Sequence, residues 1–94
     1  MNRQYIDFET YSEVDIKKVG GYNYATHPST QIICFSYGLD EGPVDLWTPA
    51  KGDPPEVVLD SFADGLWFTA HNAGFDWRIW NFIGHKQMGW PRVP

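Results

Sequence analysis

The 94-residue chain holds a single cysteine, Cys34, so neither an internal disulfide framework nor an all-cysteine zinc site is open to it. It has no apolar run near the ~18 residues that span a bilayer, and its polar start, Met1-Asn2-Arg3-Gln4, is not that of a signal peptide. Both absences point to a cytoplasmic protein with no membrane partner. Internal repeats and low-complexity tracts are missing too. Positive charge is scarce, with seven Lys and Arg against twelve Asp and Glu. A general nucleic-acid binder needs a basic surface for phosphate contact, and this chain does not have one. Acidic chains still handle phosphates when carboxylates hold divalent metals that reverse the local sign.

The last absence is local. All twelve acids lie within residues 1–76, whereas residues 77–94 hold Arg78, Lys86 and Arg92 and no acid. What the chain has in excess is aromatic: Phe, Trp and Tyr make up 17% of it, within a hydrophobic share of 43%. Rings at that density fill a small core and leave some at a surface that meets something else. The length allows one domain.

Hydrophobic patterning predicts the elements in order. Residues 4–8 read as a short strand ending in acidic positions, and residues 14–19 as a helical piece followed by the turn signals Gly20-Gly21, Asn23 and His27-Pro28-Ser29. Residues 32–39 are β-branched and aromatic, a buried strand. After the turn at 40–43, residues 44–48 alternate like its hairpin partner. Asp53 caps a helix that opens with Pro54 and carries Glu56 at its third position; Val58, Leu59 and Phe62 form one face and Gly65 ends it. Residues 66–70 are a fourth strand. Asn72 caps a last helix running to Gly84, with Phe75, Ile79, Phe82 and Ile83 on its inner face. A meander of three strands followed by a helical crossover to a strand parallel to the first is an α/β or α+β mixed sheet with helices packed on it. The end of the chain, residues 89–94, offers no cap and no final element. It reads as an interrupted domain.

Two pairs of residues carry chemistry. Asp7 and Glu9 stand at i and i+2 of a strand, on one face, with backbones ~6–7 Å apart. Like charges held there repel unless a cation lies between them, and a hard divalent cation with oxygen ligands is the natural occupant. The plain alternative is a solvated Asp-x-Glu at a strand end. Asn72 and Asp76 share one face of the last helix at i and i+4. Here the plain alternative is an N-cap and a first-turn acid favoured by the helix dipole. If the strand before Asn72 lies beside the one bearing Asp7 and Glu9, three carboxylates converge at one end of the sheet.

Asp7-Phe8-Glu9-Thr10 resembles the first motif of the DEDD-type 3′–5′ exonucleases, and Asn72-Ala73-Gly74-Phe75-Asp76 resembles their second. Between them, residues 15–20 and 24–28 are similar to the proofreading domain of bacteriophage-type family A DNA polymerases. The resemblance covers residues 4–94, which match only the first part of that domain. It implies a ribonuclease H-like fold and two-metal phosphodiester hydrolysis with Mg²⁺ or Mn²⁺. It also implies roles. Asp7 would bridge both metals, Glu9 would hold the first and orient the attacking water or the terminal 3′-hydroxyl, and Asp76 would hold the second. Thr10 and Asn72 would place the terminal nucleotide of a single-stranded DNA 3′ end, supported by the packing of Phe8 and Phe75.

The family needs a fourth carboxylate, preceded by a Tyr or His, downstream of the second motif. Residues 77–94 contain none, and His85 has no acid after it. Two functions follow. One is an exonuclease whose missing ligand comes from a second polypeptide, another copy of this chain or residues beyond it. The other is a remnant that binds metal, nucleic acid or a polymerase without turnover. The unfinished sheet predicts self-association as cover for its apolar surface. His27, His71 and His85 read as loop or cap residues, Trp77 and Trp80 as helix packing, and Cys34 as inert core.

Overall fold

The computed structural model describes residues 4–39, 42–63, 68–69 and 73–93. Strand β1 (Gln4–Tyr11) buries Gln4, Ile6 and Phe8 and exposes Tyr5, Asp7 and Glu9, the period-two alternation of a sheet with one covered face. It runs past the acids, so Asp7 and Glu9 lie within the strand and not at its end. Antiparallel to it lies β2 (Gln31–Leu39), with Asp7 opposite Ser36 and Glu9 opposite Cys34; the register slips between Glu9 and Thr10. The third antiparallel strand is β3 (Asp45–Trp47), which pairs with β2. The short β4 (Phe68–Thr69) lies parallel to β1, pairing at Gln4 and Tyr5. The order β3-β2-β1-β4 is the mixed sheet expected from the element order.

Helix α1 (Ile16–Thr26) begins later and runs further than the expected 14–19, because Asp15 accepts from the Lys17 amide and caps it there. Gly20, at φ 83°, breaks it in two. Few residues but glycine take that conformation without strain. Helix α2 (Glu56–Ala63) starts after both prolines, and the Pro55 carbonyl accepts from Val58 and Leu59. The expected opening at Pro54 under an Asp53 cap is therefore corrected. The Asp53 carbonyl instead takes the Trp47 indole N–H at 3.1 Å.

The last helix also runs further than Gly84. It comprises α3 (Ala73–Ile79), a π-helical stretch (Trp80–His85) and α4 (Lys86–Met88). The wider π turn brings Trp80, Asn81, Ile83 and Gly84 all to buried positions. Residues 89–93 form no further element, as expected, but Gly89 caps the helix, which corrects the expectation of no cap, and the residues after it fold back. Trp90 and Val93 are buried, the Asn81 amide both donates to the Val93 carbonyl and accepts from its amide at 2.8 Å, and the Trp80 indole donates to the Pro91 carbonyl at 2.7 Å. The core is largely aromatic: Phe35 stacks on Trp47 at 4.9 Å, and Trp90 sits 4.7 Å from Trp80 and 5.2 Å from Trp47. Gly84 lies under Trp90 so closely that an added Cβ would run into the ring. No helix among the described residues is long and apolar enough to cross a membrane.

Candidate carboxylate site

β1 and α3 build the site. The parallel partner β4 reaches β1 only at Gln4 and Tyr5, and three residues further on the Phe8 amide turns to a side chain. It donates to Asp76 Oδ1 at 3.1 Å, across 68 positions of sequence. The acid of the second motif is thus seated on the strand edge between Asp7 and Glu9. Asp76 is 2% exposed. Burial pushes its carboxyl up to about 6; the Phe8 hydrogen bond pulls it down, and the negative charge of Asp7 adds to the rise. Asp7 and Glu9 themselves stand exposed on the open face of the sheet.

The supporting residues are held by packing. Phe8 meets Phe35 edge-on at 5.2 Å and Trp80 at 6.5 Å, which fixes the strand that carries the acids. Phe75 packs 6.0 Å from Tyr24. Thr10 shares a hydrogen bond of 2.8 Å with the Tyr24 hydroxyl, so its side chain is oriented by α1. Tyr24 touches Thr10 and Phe75, one residue of each motif, a part the sequence did not assign; it marked Tyr24 only as the start of the similar stretch 24–28. Asn72 lies outside the described residues.

The structure brings Asp76 of α3 to the backbone of Phe8, the residue between Asp7 and Glu9 in the chain, and within the field of Asp7. It does not close the three acids into a ready cage: among the described residues no group of three or more His, Cys, Asp or Glu is placed to hold a metal. The donor chemistry nonetheless suits a hard cation, since all three residues offer carboxylate oxygen and Asp76 sits in the field of Asp7.

Cys34 is corrected. It is half-exposed on the open face beside Glu9, because Phe35 and Ile32 take the core positions around it. Burial raises its thiol, and the charges of Glu9 and Asp7 raise it further. His27 is the loop residue expected and Trp80 packs within the helix as expected, whereas His85 lies inside the helical run and holds the returning tail. His27 Nδ1 bonds the Ser29 hydroxyl at 2.8 Å, His85 Nδ1 donates to the Trp90 carbonyl at 2.6 Å, and Trp80 is wholly buried. His71 lies outside the described residues.

Over 73 residues, 76% of its length, the chain is 40% identical to a DNA polymerase of Bacillus phage SP02 and covers 11% of that protein. No protein-family model matches the chain. No solved structure matches it either.

Proposed function

We propose that the chain is part of a 3′–5′ exonuclease domain with a ribonuclease H-like fold. It would act on the 3′ end of single-stranded DNA in a host cytoplasm and require a fourth carboxylate from outside its own residues. The observation that carries this reading is the seat of Asp76 on the Phe8 amide at 3.1 Å, which sets an acid of α3 against the backbone of the residue that separates two acids of β1. The similarity to a phage DNA polymerase supports it, since most of that relative's length lies beyond the match and has room for the missing ligand.

In this reading Asp7, Glu9 and Asp76 hold Mg²⁺ or Mn²⁺ through oxygen. The metals, when bound, neutralise charge on the phosphate and activate water. The chain's own residues prepare the place. Asp76 keeps a proton below about pH 6 and presents a full charge toward Asp7 only above it. Phe8 and Phe75 hold the two motifs rigid, and Thr10, oriented by Tyr24, contacts the terminal nucleotide together with Asn72.

Two measurements test this. Asp7→Asn should abolish a Mn²⁺ titration signal that the unaltered chain gives; equal titrations would put the metal elsewhere. Alone, the chain should release negligible nucleotide from a 3′-labelled strand, because a missing ligand costs a rate factor of about 10²–10³ or more. The downstream polypeptide with a Tyr/His-plus-Asp motif, added in trans, should restore degradation, and Asp76→Ala should abolish it again. Failure to restore would leave a binding-only remnant.

A further inference from the structure

A second feature lies on the last helix and the tail that follows it, and none of the three carboxylates lines it. Trp77, Asn81, Phe82, His85, Lys86 and Arg92 line an open cavity of about 270 Å³. It collects two of the three bases of residues 77–94, with a histidine, and no carboxylate is among its lining residues. In a chain with net charge −5, this is a local reversal of sign.

The walls are fixed before any ligand arrives. Trp77 and Phe82 meet edge-on at 6.3 Å, Tyr22 braces Phe82 at 5.4 Å, and Lys86 Nζ lies 5.2 Å over the Phe82 ring. Arg92 is exposed, while its neighbours are tied down on both sides: the Pro91 carbonyl takes the Trp80 indole, and Val93 is clasped by Asn81. The folded-back tail thus places a cation at the rim without binding the cation itself. His85 Nδ1 must carry the hydrogen, since the Trp90 carbonyl can only accept.

We infer that this cleft holds one nucleotide unit of a single-stranded nucleic acid, with Lys86 and Arg92 on the phosphate and the Trp77–Phe82 corner against the base. Cations beside aromatic faces are the chemistry by which strands are bound without sequence preference. The volume lies below the ~300–1,000 Å³ of ordinary small-molecule pockets, which suits one unit and not a longer stretch. The choice of a strand as ligand rests on the function proposed above; the cleft itself does not use the carboxylates.

The test follows a fluorescently labelled oligothymidylate by anisotropy, with the 94-residue chain in EDTA so that no metal site contributes. Lys86→Ala and Arg92→Ala alter exposed side chains, and circular dichroism should show both folded. Each should weaken binding several-fold and lower the log–log salt slope by about 0.7, with the double variant losing both increments. Lys51→Ala, which removes an exposed cation outside the cleft, should bind as the unaltered chain does. Binding that is absent, that survives the double variant, or that inorganic phosphate displaces as well as thymidine monophosphate does, overturns the inference. Loss of binding in Lys51→Ala as large as in the double variant would also overturn it, and with EDTA present either result leaves the proposed exonuclease site standing.

Discussion

The molecule has two ends of different character. Around Asp7, Glu9 and Asp76, three acids of like sign are brought near one another, one of them buried. Around Trp80, Asn81 and Trp90, rings interlock and polar groups find partners within hydrogen-bond distance. The first region buries one carboxylate beside the charge of Asp7, which opposes its ionisation, whereas the second is closely packed with its polar groups paired. Functional sites are commonly the least comfortable part of a fold, held in place by well-packed surroundings. Phe8 joins the two, since its amide meets Asp76 and its ring meets Trp80.

The comparison can be broken most severely at Gly84. Gly84→Ala forces a methyl into the Trp90 ring and should cost roughly 3–5 kcal/mol, a loss measurable by urea unfolding. A change below about 1 kcal/mol would mean the tail does not brace the fold.

Asp76→Asn acts in the opposite direction. Between about pH 4 and 6 the folded chain keeps the Asp76 proton and the unfolded chain has lost it. Stability from this group is therefore complete below about pH 4 and falls as pH rises to about 6. Beyond that the cost is constant, about 2–3 kcal/mol for a shift of about two units. The amide substitution should recover most of it at pH 7 and flatten the decline between pH 4 and 6, as read from melting temperatures across that range. An unchanged pH profile would remove the buried charge from the account.

The smallest effect sharpens the comparison from the open face. Glu9→Gln removes the larger of the two charges that raise the Cys34 thiol, so alkylation at pH 8 should quicken by a factor of about two. Burial is the first cause of the rise and stays in place. No change in rate would mean that Glu9 and Cys34 are further apart than their pairing indicates.

Much of this was legible in the chain. Residues 4–8 marked a short strand, residues 32–39 a second, and the element order a mixed sheet. The acids at 7, 9 and 76 stood out by spacing. What escaped was tertiary. Nothing in the spacing of Trp80, Asn81 and Trp90 announces a π turn, because helical periodicity is the same until the extra residue is accommodated by packing. The docked tail escaped for a similar reason, since residues 89–93 have no periodicity and are held by bonds to side chains eleven and twelve positions back. Cys34 was misplaced because a strand rich in β-branched residues looks buried on both faces when only one is covered.

The tail's bonds have one more consequence, for the order of assembly. His85, Gly84, Trp80 and Asn81 reach partners only 5 to 12 positions away, whereas Asp76 reaches Phe8 across 68. Closing the longer loop costs about 1.5 kcal/mol more in chain entropy, and contacts of long separation form late. The helix and its returning tail can therefore organise as a local unit while β1 is still free, and the carboxylates meet last, against a frame already in place.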